Sequence, residues 1–564
     1  MEGSAGAPGR TSQSGPVVYA AMYLRMLAAG VAAIVLVAPM AGGAQPARHS
    51  WTQADRLRVA FLVEPATLDP VIGVELAASN TAQLIFDGLV HIDDRGRPVP
   101  DLAKAVPSRA NGGISADGRT LTYHLDARAR WHDGVPVTAG DVVFTYRAIM
   151  NVANNVQDRH GYDQIASVEA VDAHTVRIRF KQPFAPATLL FAGGIQGAIV
   201  PKHLLAAYPD LNKIAFNTAP IGSGPYVVRE WRHGDRLLLD ANPAYFRGAP
   251  RIPHIDVRFV PDSNTLLTLV RTHEIDFTPD LDPNQVAAAR RTAGVAVRAK
   301  SGNAYRHIGF NTRRSPTDDW RVRRALCYAV DPHLIYRKMY LGIGAQAPAD
   351  QNPASGWANG ALHYYPTDFV RAGALLDAAG WRNGPEGVRL KNGRRLSLEI
   401  VSLAGAKTNE AIELLLQNAW HRIGVDVTIK NYAGSMLFGP AQPGGGLIPS
   451  GHYDVSLFSY YRNPDPDDSD VIGPSSVPPA GLNTTFYANP EVGRLQVQAV
   501  RTFDERRRHA LYNRIQVIIV RDVPIYTLLW VPIIAAFNDD LRGVSVSPAG
   551  PAFWNVTEWR MASP

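Results

Sequence analysis

The chain carries one cysteine, Cys327, in 564 residues. A single thiol excludes a disulfide framework and any zinc site built on several cysteines. Its setting in the apolar run VRRALCYAV reads as a buried structural group rather than a nucleophile. Charged residues, at 19%, are slightly low, and the net charge is only +7. The basic residues are scattered apart from Arg506-Arg507-Arg508, and no basic stripe is interleaved with aromatics, so nucleic acid is not an expected partner. G-x-S-x-G, H-E-x-x-H, Walker A and G-x-G-x-x-G motifs are all missing, and the 16 histidines show no ligand spacing. No catalytic residue, metal or cofactor is therefore expected. A hydrolase whose triad is assembled only by the fold stays open as an alternative. The sequence shows no internal repeats and, beyond its N-terminal region, no apolar run of the ~20 residues that a membrane span needs.

What is present begins with an address. Arg25 precedes an apolar run over residues 26–37, followed by the small residues Ala41-Gly42-Gly43-Ala44. Charge, short apolar core and small residues together read as a secretory signal peptide over residues 1–44, cleaved after Ala44. No cysteine follows the apolar core, so no lipid anchor is expected, and the mature protein is placed in the periplasm. Two alternatives stay open: an uncleaved anchor, and a true start at Met22.

The densest local signal lies at residues 117–150, DGRTLTYHLDARARWHDGVPVTAGDVVFTYRAIM. Leu121, Tyr123 and Leu125 alternate with polar residues as a half-buried strand. Asp133-Gly134 marks a turn, and Thr138 with Asp141 three residues on forms a capping-box pair before an apolar-faced helix. Upstream, residues 57–63 alternate as a strand ending in Thr67-Leu68-Asp69-Pro70, and residues 77–90, containing LIFDGLV, read as a helix. Downstream come a hairpin over 168–180 and the segment PIGSGPY at 220–226, where two glycines specify a tight backbone course through access to positive φ. A strand at 306–311, the helix WRVRRALCYAV ended by Asp331-Pro332, the short helix ALLDAAGW, a βαβ unit over 396–432, a strand at 454–460, a helix at 504–520 and a last strand at 524–530 complete the chain.

Taken in this order, these motifs resemble the family 5 extracytoplasmic solute-binding proteins, the peptide-, nickel- and opine-type receptors of ABC importers. The WHDGxPxTAxDVVF stretch carries most of the resemblance, which extends over about residues 56–560. It implies an α/β, two-lobed periplasmic-binding-protein fold with a hinge and an additional inserted domain. The implied division is a discontinuous lobe-one domain at 50–75, 216–300 and 526–564, an inserted lobe-one domain at 76–215, and a lobe-two domain at 301–525. The implied function is capture of a peptide or peptide-like solute and its delivery to a permease and ATPase complex, by a monomer without catalytic activity. An opine, sugar-containing or metal-chelate ligand is the alternative on the same fold.

The resemblance also points to ligand residues. Peptide-binding relatives hold the ligand ammonium with an aspartate in the loop after the strand at 454–460; here that loop reads YYRNPDPD and places Arg462 at the position. An arginine suits a carboxylate, phosphate or sugar hydroxyls instead, unless it pairs with Asp465, Asp467 or Asp468 on its own loop. Tyr460 and Tyr461 either stack on the ligand or pack the lobe. Lys407 stands where a carboxylate-binding arginine is common, or is a solvated loop lysine. Glu75 and Asn80 fall where the first lobe's loop meets the cleft.

Overall fold

The structure is a computed structural model and describes residues 48–194, 196–439, 445–548 and 552–563. The expected signal peptide lies outside the described residues.

The period-2 segments assemble into one ten-stranded mixed sheet that runs through both lobes. In the first lobe, strand Arg56–Phe61 pairs in parallel with His254–Phe259, and the hairpin Tyr226–Arg232 with Arg236–Ala241 extends that edge. In the second lobe, Ser397–Leu403 pairs in parallel with both Asp426–Tyr432 and Val455–Tyr461, with helix Lys407–His421 making the crossover. A separate three-stranded sheet, Thr120–His124, Thr175–Phe180 and Ile165–Ala170, belongs to the inserted region. It is followed on one side by helix Ala139–Met150, whose Thr138/Asp141 capping box is formed as expected.

Two long antiparallel strands join the lobes: Val295–Phe310 and Ile525–Asn538. Both are much longer than the expected 306–311 and 524–530. Residues 295–301 pair with 532–538 on the first-lobe side, and 305–309 pair with 525–530 on the second-lobe side. The register slips between Ser301 and Tyr305, opposite Val531-Pro532. Proline has no N–H to give to a ladder, so the break falls at the passage from one lobe to the other. Two large hydrophobic clusters flank it. One is built on Leu57, Leu121, Val142, Leu237 and Trp559; the other on Ile308, Leu326, Ile400, Trp420 and Leu528.

The motifs that carry the family resemblance knit the inserted region to the first lobe. His132 of WHDG accepts a hydrogen bond at Nδ1 from the Gly222 N–H (3.2 Å) and bonds the Gly224 carbonyl through Nε2 (3.0 Å). Ser223 Oγ donates to Asp87 Oδ2 (2.8 Å), and Tyr245 donates to Asp87 Oδ1 (2.7 Å). Burial of Asp87, with Asp101 nearby, pushes its carboxyl up. The expected helix over 77–90 accordingly ends at Ile85, because residues 86–89 turn to deliver Asp87 into this network. The glycines of PIGSGPY are needed for a different reason from positive φ. A Cβ on Gly222 would lie 1.8 Å from the Ile85 carbonyl oxygen, and one on Gly224 2.6 Å from the Ile85 carbonyl carbon. Close backbone approach, not turn handedness, selects glycine there.

Candidate ligand-binding cleft

Three cavities lie between the lobes. The widest, 600 Å³, is walled by Asp158, His160, Phe184 and Leu189 of the inserted region and by Phe458–Arg462 and Asp467 of the second lobe. A 340 Å³ cavity shares Asp158, His160, Tyr461 and Asn463 with it and continues to Leu76 and Gln83. A third, 280 Å³, shares Leu76 and reaches the hinge strands, with Phe277, Asp280 and Ile533 on one side and Arg306, Tyr340 and Thr408 on the other. A larger hollow of 670 Å³ is lined by Phe144, Arg147, Asn151 and Lys202, all from the inserted region, and does not lie between the lobes.

A contact joins two residues that line the 600 Å³ cavity from different lobes. His160 Nε2 lies 2.9 Å from Asp467 Oδ2. Burial works against the imidazolium, but the Asp467 hydrogen bond and charge, with Asp470 and Asp158 behind them, hold the His160 pKa up at about 10. Burial opposes the charged form of Asp467 too, yet His160 and Ser469 bring that carboxyl down to about 2. Asp158 is raised by burial and by the charge of Asp470. Asp465 is held by a two-point contact from Arg508 at 2.6 and 2.7 Å.

Arg462 lines the 600 Å³ cavity but is only 5% exposed. Its Nη1 donates to Asp470 (2.7 Å) and its Nη2 to the Asp467 carbonyl. The guanidinium is thus bonded within its own loop, to Asp470 rather than to the Asp465, Asp467 or Asp468 carboxylates. Burial acts against its charge, and the Asp470 carboxylate outweighs it and raises the pKa. Tyr460 also lies in this wall; its hydroxyl donates to the Leu482 carbonyl (2.7 Å), and its ring stacks on His307 at 5.0 Å. Tyr461 is 49% exposed and lines both of the cavities that Asp158 lines. Asn80 lines the hinge-side cavity, with Oδ1 accepting from Ala552 N (2.8 Å). Glu75 sits at the N-cap of helix Leu76–Ile85 and lines none of the three. Lys407 also lines none of them: its side chain is 86% exposed and its Nζ lies 2.9 Å from Glu410. Its neighbour Thr408 is the residue of that helix that reaches the hinge-side cavity.

Sequence reasoning missed His160, Asp158, Ser459 and Arg306. For the first three no sequence signal stands out. Arg306 had one, because an arginine inside the buried alternating run AYRHIGF breaks the pattern. Among the described residues, one group has the donor set for a metal: His49, Asp539 and Asp540. Asp540 Oδ2 there already accepts from His49 N and Thr52 Oγ1, each at 2.8 Å, and none of the three residues lines the cleft.

Two α/β lobes joined by a paired-strand hinge, with a cleft lined from both, define a solute-binding receptor of the periplasmic-binding-protein fold. The model of the bacterial extracellular solute-binding proteins, family 5 (middle region), matches residues 97–478, and the chain belongs to that family. It is an extracytoplasmic substrate-binding component of an ABC importer and not an enzyme. It is 30% identical over 509 residues to Protein XP55 of Streptomyces lividans, covering 88% of this chain and 89% of that protein. It is 26% identical over 525 residues to the oligopeptide-binding protein AppA of Bacillus subtilis, covering 90% of this chain and 92% of that protein. The solved structure of Bacillus subtilis AppA in complex with a nonapeptide superposes with a TM-score of 0.79 at 23% identity, covering 91% of this chain and all of that one.

Proposed function

We propose that the protein captures a peptide or peptide-like solute in the inter-lobe cleft and hands it to a membrane permease and its ATPase. The observation that carries this is the cleft itself, a row of cavities whose walls come from both lobes. A ligand touching both walls favours the shut hinge over the open one by the contacts it makes only when shut. The oligopeptide-binding relative supports a peptide as that ligand. In this reading the hinge separates a discontinuous first-lobe domain at 50–75, 216–300 and 526–564, carrying an insert at 76–215, from a second lobe at 301–525. The receptor works as a monomer in the periplasm, with its mature chain starting near Gln45.

The test is native mass spectrometry of protein exported by its own host and purified without denaturation. A peptide mass released intact on unfolding, together with a chain mass that begins near Gln45, is the expected result. Small-angle scattering should then show the radius of gyration shrinking as that peptide is returned to the emptied protein. A non-peptide mass, or steady conversion of the ligand, overturns the reading.

A further inference from the structure

The first described residues lie against those that follow the hinge strand Ile525–Asn538. His49 Nε2 stands 2.8 Å from Asp539 Oδ1, and the His49 N–H donates to Asp540 Oδ2 at the same distance. One ligand atom from each of these three side chains falls within 4.8 Å of the other two. A separation of 490 residues between His49 and Asp539 hides the cluster from any reading of motif spacing.

An ion pair between His49 and Asp539 accounts for only part of this arrangement. Asp540 is 4% exposed. Its Oδ2 accepts from His49 N and from Thr52 Oγ1, while its Oδ1 accepts no hydrogen bond from a described residue. Neither aspartate has a lysine or arginine partner among the described residues. Arg58, which donates to the Trp51 carbonyl, is committed to Asp276 at 2.8 Å. One imidazolium can offset only one of two carboxylates, and a buried carboxylate without a counter-charge is costly. A divalent cation answers all three groups at once.

The donors are also held in place. The His49 ring stacks on Trp51 (4.3 Å, 6°), which stacks in turn on His273 (4.0 Å, 14°). This ladder fixes the plane of the imidazole. The two donors on Asp540 Oδ2 fix that carboxylate, as outer hydrogen bonds commonly do for a metal ligand. Gly294 leaves the space beside the imidazole open, since a Cβ there would lie 3.2 Å from His49 Nε2 and 2.8 Å from Trp51 Cζ2. Bonds of about 2.0–2.2 Å to a tetrahedral ion set its ligand atoms roughly 3.4 Å apart. That spacing falls inside the range of 2.8 to 4.8 Å found here, so small side-chain shifts complete the set.

We infer that His49, Asp539 and Asp540 bind a divalent transition-metal ion of the zinc type, with water in the remaining position. The imidazole selects for such an ion over calcium and magnesium, which take oxygen donors. The two carboxylates cancel its charge. None of the three residues lines the cleft, so the ion is a resident group and not the transported solute, and the inference does not rest on the peptide reading. Its effect is to tie the first described residues to the end of the hinge strand.

The experiment uses the full mature protein without a histidine tag, freed of metal with EDTA, exchanged into EDTA-free buffer and titrated with zinc chloride by calorimetry. One equivalent bound per chain is the expected result. Free zinc at 100 times its Kd should move the unfolding equilibrium about 100-fold toward the folded form, read as a higher melting temperature. His49→Gln and Asp539→Asn should each weaken zinc binding by more than the roughly 10- to 100-fold that losing a residue supporting a ligand costs. The gain in melting temperature should disappear with it. Asp539→Asn carries the test if His49→Gln fails to fold, because the Asp539 side chain is 46% exposed. His160→Gln, at the cleft histidine, should bind zinc as wild type does, and calcium chloride should leave the wild-type melting temperature unchanged. Absence of zinc binding in wild type, or wild-type zinc affinity in Asp539→Asn, overturns the site. Loss of zinc binding in His160→Gln places the ion in the cleft and likewise overturns it. An equal response to calcium would reduce the cluster to an acidic attraction without a ligating imidazole, which also overturns it.

Discussion

Arg462 shows how far one residue's role depends on its neighbours in space. As a cation at a ligand-binding position it would be expected to control affinity and to leave stability untouched. In the fold its side chain is 5% exposed and bonded to Asp470, itself 19% exposed, and to the Asp467 carbonyl. Removing one partner of such a pair strands the other charge, which typically costs roughly 3–5 kcal/mol. Arg462→Ala is therefore expected to destabilise the ligand-free protein by about that amount. Urea unfolding of the two proteins checks it, and a shift in midpoint too small to see would return Arg462 to the ligand. The acidic partner could not have been picked from the sequence. Asp465, Asp467, Asp468 and Asp470 all lie within eight residues of Arg462, and only the path of the loop decides which carboxylate it meets.

At the scale of elements, the family motifs make a scaffold. The PIGSGPY segment passes so close to the end of helix Leu76–Ile85 that Gly222 has no room for a Cβ, which would sit 1.8 Å from Ile85 O. Backbone on backbone cannot yield as a flexible side chain can. Gly222→Ala should therefore cost about 3 kcal/mol or more, at or beyond the upper end for overpacked sites. Gly360→Ala, at a site with nothing within 4 Å of the added carbon, should stay within about 0.5 kcal/mol. Chemical denaturation of the pair measures both, and equal stability of the two variants would contradict the close-approach argument. The motifs were legible because their causes are local: a capping box four residues long, an Asp-Gly turn, a period-2 strand. The lengths of the hinge strands were not. Val295–Phe310 and Ile525–Asn538 each continue through the hinge because each lobe offers its own pairing partners on either side of the slip at Ser301/Tyr305.

Across the whole molecule, the His160–Asp467 contact ties the inserted region to the second lobe, and a hinge opening that parts the two would break it. The titratable groups facing His160 are Asp467, Asp470 and Asp158. Its pKa of about 10 here stands above the ordinary 6.5 that it regains when the contact opens. A raised pKa contributes closure that is complete below about 6.5 and is lost as pH climbs through about 10. Asp467, drawn down to about 2, contributes above its ordinary 3.8 and fails only as pH falls through about 2. The shut form should thus be favoured most between these limits, from about pH 4 to 6.5, and should loosen progressively toward pH 10. Energy transfer between dyes on the two lobes, followed from pH 5 to 10, should report this opening. His160→Gln should flatten the profile, and an unchanged pH profile in that variant would assign the opening to another group.

The sequence by itself determined the family, the order of elements and the residues at their caps and turns, since each of these is set by interactions within about ten residues along the chain. The glycines at 222 and 224 were legible as necessary but not for the right reason. Only the tertiary structure decided which charges are matched. Arg462 found a carboxylate on its own loop and Arg508 one more than 40 residues away in sequence, whereas Arg306 met none among the described residues and Lys407 was turned outward to Glu410. Whether a cation is neutralised depends on which segment the fold packs against it. That choice is made by the burial of apolar surface across the whole chain, in which no single charge has a deciding share.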